Sequence, residues 1–120
     1  MKNDKLIHDW MVYFLKNKLS RSYDDVKANI EGEEEIEYKG SRPDLVLSNH
    51  GMVMALMKVE TAGSISPEKA EEWKALSALG AKLILMVPKA SKAKVVDLLW
   101  KNNIVDRTAV GSYDINVNMP

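Results

Sequence analysis

The stretch that decides the fold runs from Arg42 to Thr61 and reads RPDLVLSNHGMVMALMKVET. It contains two segments of strand-forming composition separated by Asn49-His50-Gly51, which predicts a β-hairpin. The second segment is apolar on both faces over its first six residues, as is typical of a central strand. Asp44 opens the first strand, while Lys58 and Glu60 end the second. Because charge at the end of a buried strand is costly unless it is paired or used, these three residues are the candidates for function.

The length of the turn decides whether the three charged side chains share one face of the sheet. A three-residue turn over Asn49 to Gly51 places Asp44 opposite Leu56. Lys58 and Glu60 then lie on the same face as Asp44. A two-residue turn would place Asp44 on the opposite face, because side chains alternate along a strand. Gly51 suits the left-handed position in a three-residue turn, so we expect that turn.

Composition limits the class of protein. A chain of 120 residues is predicted to form one domain over residues 1–120, large enough to bury a core without disulfides. It has no cysteine and two histidines, which excludes disulfide frameworks, thiolate metal sites and histidine-rich zinc sites. Seventeen basic and 17 acidic residues give a net charge of zero, so there is no global electrostatic case for nucleic-acid binding. The N-terminus lacks a signal-peptide apolar core, and no apolar run approaches the ~20 residues of a membrane helix, so we expect a cytoplasmic chain with no membrane partner.

Hydrophobic periodicity predicts the helices. Residues 4–19 form an amphipathic helix, with His8 on the flank of its apolar face. The apolar stripe of this helix is Ile7, Trp10, Met11, Phe14 and Leu15. Ser66-Pro67 is a strong helix start, and the helix is expected to run to about Leu79 before Gly80. A further capped helix is predicted over residues 91–102.

The remaining segments are predicted strands. Alternation indicates one strand over residues 25–30 and a buried one over residues 82–87. A final strand carries Tyr113, Ile115 and Val117 on one face. The resulting order, α-β-β-β-α-β-α-β, predicts a single α/β domain with a central mixed sheet flanked by helices.

Pro43-Asp44, followed by a hydrophobic strand that ends in charged residues two apart and then by a helix, resembles the PD-(D/E)XK nuclease superfamily. That group includes restriction-endonuclease-like enzymes and archaeal Holliday-junction resolvases. Its core has the order α-β-β-β-α-β, so the resemblance covers the chain from the first helix to Val87. The resemblance implies a restriction-endonuclease-like fold and a nuclease that acts on DNA with Mg²⁺ or Mn²⁺. In that superfamily the aspartate and an acid of the second motif bind the metal, and a lysine positions or deprotonates the attacking water.

This chain departs from the family pattern at Lys58-Val59-Glu60, where the acid-x-lysine order is reversed. The resemblance assigns Asp44 and Glu60 as metal ligands and Lys58 as the residue that orients the water. Because the strand period of two keeps Lys58 and Glu60 on one face, two carboxylates still remain for a hard cation. Lys58, however, lies nearer to Asp44 than Glu60 does, and can pair with it instead. Two unit charges ~4 Å apart attract by about 4 kcal/mol at a near-surface dielectric.

Two helical residues are supporting candidates. Many members of the superfamily add a polar residue from the first helix, and His8 occupies such a position. Lys74, on the helix after the motif, is a candidate contact for a phosphate.

Two hypotheses for function stay open. The first is a small metal-dependent nuclease acting on DNA, expected to be a homodimer through its C-terminal strand because a domain of this size offers little surface to grip a duplex. The second is a non-catalytic member of the same fold that binds protein or nucleic acid. Pro43-Asp44 favours the first, whereas the reversed order at Lys58 and Glu60 and the zero net charge favour the second.

Overall fold

The computed structural model describes residues 2–33 and 35–114. Within them the predicted order of helices and strands is confirmed, and short 3₁₀ turns precede the third helix and the last strand. The elements are α1 (Lys2–Leu19), β1 (Asp25–Ala28), β2 (Leu45–Asn49), β3 (Met52–Val59), α2 (Pro67–Ser77), β4 (Lys82–Pro88), α3 (Lys92–Lys101) and β5 (Thr108–Tyr113). Ile115 and Val117, predicted for the last strand, lie outside the described residues. None of the helices in these ranges has the length and apolar character needed to cross a bilayer.

The five strands form one mixed sheet in the order β1-β2-β3-β4-β5. β1, β2 and β3 are antiparallel neighbours, whereas β4 and β5 run parallel to β3. The parallel pairs are possible because α2 connects β3 to β4 and α3 connects β4 to β5. β3 is the central strand, as its two apolar faces predict.

Helices cover both faces of the sheet. On one face, α2 and α3 contribute to a core around Trp73, whose other large members are Leu56, Leu83, Leu85, Val87, Leu99 and Ile104. On the other face, α1 packs against side chains of β1, β2 and β3, including Leu45, Leu47, Met57 and Val59. The predicted α/β domain with a flanked mixed sheet is therefore confirmed.

The hairpin turn corrects the expected register. Asn49 pairs with Met52, so the turn has two residues and the expected three-residue turn is wrong. His50 and Gly51 both have positive φ, at 52° and 79°, which suits a two-residue hairpin turn. A β-bulge then leaves Met54 unpaired between the pairs Ser48–Val53 and Leu47–Ala55.

The bulge changes which residues face each other at the far end of the hairpin. Beyond it, Leu45 pairs with Met57, so Asp44 comes opposite Lys58. The two-residue turn alone would have placed these side chains on opposite faces, and the one-residue bulge returns them to the same face. The bulge therefore compensates for the short turn, and Asp44 shares a face with Lys58.

The buried face of α1 also differs from the expected stripe. Met11, Val12 and Leu15 are buried, whereas Trp10 and Phe14 are exposed. Residues 10–15 are all apolar, so two overlapping stripes fit the periodicity and the pattern cannot choose between them. The stripe that packs on the sheet is the one that also carries His8 toward β2.

Candidate functional site

The candidate site lies where β2 begins and β3 ends. Asp44, Lys58 and Glu60 lie at this end of the sheet, the second turn of α1 contributes His8, and the first turn of α2 contributes Lys69. A cavity of about 220 Å³ opens beside them, lined chiefly by charged and polar side chains. It lies at the carboxyl end of β3, and in open α/β sheets that end of the strands is where ligands bind.

Asp44 is buried and fully engaged. Its Oδ2 accepts a hydrogen bond of 2.7 Å from the backbone N–H of Val59. Its Oδ1 lies 3.1 Å from His8 Nε2 and 3.9 Å from Lys58 Nζ. A backbone donor and two basic side chains therefore hold this carboxylate, which is only 6% exposed.

Glu60 is also held on both oxygens. Oε2 accepts a 2.7 Å hydrogen bond from Trp73 Nε1, and Oε1 accepts one of 2.8 Å from Ser64 Oγ. Lys69 Nζ is the nearest cation, 3.9 Å from Oε1. Glu60 is only 1% exposed. This burial raises the pKa of its carboxyl above the ordinary value despite these donors.

Lys58 bridges the sheet and α2. Its Nζ lies 2.9 Å from Glu72 Oε1, besides the 3.9 Å to Asp44 Oδ1. Burial opposes the charge on Lys58, but the attraction of Asp44 and the hydrogen bond to Glu72 outweigh it and raise its pKa. Burial likewise works against the charge on Glu72, yet the Lys58 hydrogen bond prevails and lowers its pKa. Lys69 Nζ lies 3.2 Å from Glu72 Oε2. Acidic and basic side chains therefore alternate from Asp44 through Lys58 and Glu72 to Lys69.

His8 lies between two carboxylates. Its Nε2 meets Asp44, and its Nδ1 lies 3.0 Å from Asp9 Oδ1 on the solvent side. The hydrogen bond to Asp44 raises the pKa of His8, because both ring nitrogens can donate to acids only in the charged imidazolium. Asp44 thus has two cations beside it when His8 is protonated.

The structure brings most of the predicted residues together. Asp44, Lys58 and His8 form direct pairs, and Glu60 lines the same cavity as Lys58 and His8. Lys74 is exposed on α2 and does not line this cavity.

Four residues of the site were missed by sequence reasoning. They are Ser64, Lys69, Glu72 and Trp73. Helical spacing could have found the last three, since positions three and four apart share a helix face and Trp73 is the large apolar residue of α2. Lys74 is one position past that face.

The donor set suits a divalent cation poorly. Mg²⁺ requires near-octahedral coordination by oxygen, usually from carboxylates and water. Here the oxygens of Asp44 and Glu60 already accept from protein donors, and an ammonium stands 3.9 Å from Asp44. Among residues 2–33 and 35–114, no three His, Asp or Glu side chains are grouped to hold a metal ion. The assignment of Mg²⁺ or Mn²⁺ to Asp44 and Glu60 stays a prediction.

Neither a model of a known protein family nor a curated protein matches this chain. The likeness to the PD-(D/E)XK superfamily therefore stays a prediction from the motif and the order of elements.

Proposed function

We propose that this chain is a non-cleaving binding module of nuclease-like fold, in which the ammonium of Lys58 takes the place of a divalent cation. The observation that carries the proposal is the position of Lys58 Nζ, 2.9 Å from Glu72 Oε1 and 3.9 Å from Asp44 Oδ1. An ammonium between two carboxylates offsets one of their two negative charges, whereas a divalent metal ion would offset both. The ammonium also cannot hold a water molecule as a ligand or lower the pKa of that water, which metal-dependent hydrolysis requires.

Electrostatics support the same conclusion. A cation bound at Asp44 would lie close to Lys58 and to His8, both of which carry or can carry positive charge. Like unit charges ~4 Å apart repel by about 4 kcal/mol at a near-surface dielectric, and a divalent ion doubles that cost. A metal would therefore have to displace side chains that the site already holds in ion pairs.

The second candidate function is a metal-dependent nuclease. It is favoured by the meeting of Asp44, Lys58 and Glu60 at one end of the sheet. In that proposal Asp44 and Glu60 would hold Mg²⁺ or Mn²⁺, Lys58 would orient the attacking water, and a homodimer would act on DNA. Both functions require the same fold, so metal binding and cleavage separate them.

Introducing an acid at position 58 tests the proposal. The variant Lys58→Glu removes the ammonium and adds a carboxylate beside Asp44 and Glu72. We expect isothermal titration calorimetry to show no Mn²⁺ binding by the unaltered chain and measurable binding by Lys58→Glu. Binding by the unaltered chain that disappears in Asp44→Asn would contradict the proposal. So would metal-dependent cleavage of labelled single-stranded, duplex or branched DNA by the unaltered chain.

Two further variants serve as controls. Lys74→Glu makes the same charge change at an exposed position of α2 outside the cavity, so it should not create a metal site. Lys58→Gln removes the ammonium without adding an acid, and it replaces Lys58→Glu if that variant fails to fold. Exchanging Lys58 and Glu60 is a weaker test, because a lysine at position 60 would be buried against Trp73 and Ser64.

A further inference from the structure

A second surface of the molecule has no role in the site around Asp44. On the outer side of α1, Trp10, Tyr13 and Phe14 are 52%, 56% and 43% exposed. The rings of Trp10 and Phe14 stack with centroids 5.4 Å apart and an interplanar angle of 14°. Exposing three neighbouring aromatic rings leaves a contiguous apolar patch in water, and such patches commonly mark binding surfaces.

Basic side chains adjoin these rings. Lys18 Nζ lies 5.9 Å from the centroid of the Phe14 ring. A cavity of about 420 Å³ runs along the same face, and all the residues that line it are aromatic, amide or basic: Trp10, Tyr13, Phe14, Asn17, Lys18 and Arg21. Between residues 10 and 21 the chain has three basic residues and no acid. In the part of the chain that the structure describes, neither Lys18 nor Arg21 forms an ion pair.

We infer that this aromatic and basic face of α1 binds single-stranded nucleic acid. The positive charge of Lys18 and Arg21 complements a polyanion, and the flat faces of Trp10 and Phe14 select a polyanion that carries planar rings. Unpaired bases stack on exposed aromatic side chains while basic residues follow the phosphates, the combination by which proteins bind single strands without reading sequence. A net charge of zero does not oppose this, because the basic residues are local to one end of α1.

The geometry disfavours the other occupants. From Leu6, which is also exposed, to Leu19 at the end of α1, the helix face is ~20 Å long and ~10 Å wide, or roughly 200 Å². A stable protein interface buries about 800 Å² on each partner, so this face alone is too small for a homodimer. Duplex DNA keeps its bases stacked inside the helix, where the rings of Trp10 and Phe14 cannot reach them. An acidic peptide would match the charge but carries planar rings only at aromatic residues, whereas every nucleotide carries a planar base.

This inference goes beyond the proposed function, because it names a partner and uses residues outside the site around Asp44. Different results would overturn the two proposals. Metal binding at Asp44 would overturn the proposed function but not this inference. Absence of oligonucleotide binding would overturn this inference but not the proposed function.

Fluorescence anisotropy tests the inference with fluorescein-labelled oligothymidylate and oligouridylate of about twelve nucleotides, a length within the range of known single-strand sites. We expect saturable binding of either or both probes with Kd between about 1 and 100 µM. Trp10→Ala should weaken binding roughly fivefold to a hundredfold through the lost base stack. Lys18→Ala should lower the slope of log K against log salt by about 0.7, the value for one phosphate contact on a single strand.

Trp100→Ala is the matched control, since Trp100 is an exposed helical tryptophan beside a lysine on α3. It should bind the probes like the unaltered chain, and circular dichroism should show that all three variants fold. The inference is overturned if neither probe binds, if Trp10→Ala and Trp100→Ala behave alike, or if heparin binds as tightly and independently of Trp10. If neither probe binds and sedimentation shows a dimer that Trp10→Ala dissociates, this face is an interface between copies of the chain and the inference is wrong.

Discussion

Asp44 lies opposite Lys58 across the β2–β3 hairpin, although the turn between the strands has only two residues. The bulge at Met54 supplies the one-residue shift that brings the two side chains to the same face, within 3.9 Å of each other. The charge network of the site therefore depends on an irregularity at the opposite end of the hairpin.

Deleting Met54 should preserve the site. Without this residue the pairs Ser48–Val53 and Leu47–Ala55 follow one another in a regular ladder, and Asp44 still faces Lys58. Met54 is itself exposed, so we expect the free energy of unfolding in urea to change by about 1 kcal/mol or less.

Deletion of Ile84 is the control for that experiment. Ile84 lies in a regular part of β4 and pairs with Met57 on one side and Ala109 on the other. Its deletion should move the side chains on one side of the gap to the opposite face of the sheet. This variant should not fold. If deleting Met54 is as damaging as deleting Ile84, the bulge does not act as described.

His8 should make stability depend on pH. The hydrogen bond to Asp44 raises the pKa of His8, so the protonated form favours folding. That stabilisation is complete below the unfolded pKa of about 6.5 and is lost as pH rises through the higher folded pKa. The advantage of the unaltered chain over His8→Gln in urea unfolding should therefore be larger near pH 6 than near pH 9.

His50 provides the comparison. It lies in the exposed hairpin turn, where its Nδ1 is 3.6 Å from Asp24 Oδ2, and exposed pairs contribute little to stability. His50→Gln should show a much weaker dependence on pH. Equal pH dependence for the two variants would mean that the contact between His8 and Asp44 is not formed in solution.

Glu60 and Glu72 should respond to pH in opposite directions. Burial raises the pKa of Glu60, so the stabilisation by its neutral form is lost as pH rises through the folded pKa. Glu60→Gln should therefore gain on the unaltered chain as pH increases. Although burial alone would raise it, the pKa of Glu72 is lowered by Lys58, and its stabilisation is lost as pH falls through the folded pKa. Glu72→Gln should be less stable at neutral pH and approach the unaltered chain on acidification.

Urea unfolding of both variants between about pH 4 and pH 8 would measure these slopes. The effect of Glu72 should be small, no more than about 1 kcal/mol, because its side chain is 42% exposed and its ion pairs are screened by water. Slopes of the same sign for the two variants would contradict the raised pKa of Glu60 or the lowered pKa of Glu72.

Sequence patterns predicted the order of elements because periodicity and capping act locally. Ser66 does cap α2, with its side chain accepting from the N–H of Lys69. What the patterns could not give depends on neighbours distant in sequence. The bulge at Met54 follows from how β3 meets β2, and the exposure of Trp10 follows from which of two apolar stripes the sheet accepts.

The candidate site shows the same division. Asp44 and Lys58 were found because a charged end to an apolar strand is visible in the sequence. Glu72 was missed because its partner, Lys58, lies 14 residues away on another element. Helical spacing places Glu72 on one face of α2 with Lys69 and Trp73, but it does not show that this face meets Lys58.

Trp73 should be needed for its N–H as well as its ring. It donates 2.7 Å to Glu60 Oε2 in a fully buried setting. Trp73→Phe keeps an aromatic ring but leaves a buried carboxylate oxygen without its donor, which should cost about 1–3 kcal/mol in the free energy of unfolding. Trp100→Phe, at a site 64% exposed, should change stability by about 0.5 kcal/mol or less. Similar losses for the two tryptophans would show that the hydrogen bond to Glu60 contributes nothing.

The replacement of a metal ion by Lys58 is tested most directly by thermal unfolding of the unaltered chain and of Asp44→Asn, each with and without Mn²⁺. A metal bound only by the folded state adds about 2.7 kcal/mol at a hundredfold excess over Kd, on the order of 10 °C in Tm for a domain of this size. We predict no metal-dependent shift in either protein, because Lys58 and His8 already neutralise Asp44. A rise in the Tm of the unaltered chain that is absent in Asp44→Asn would contradict this account.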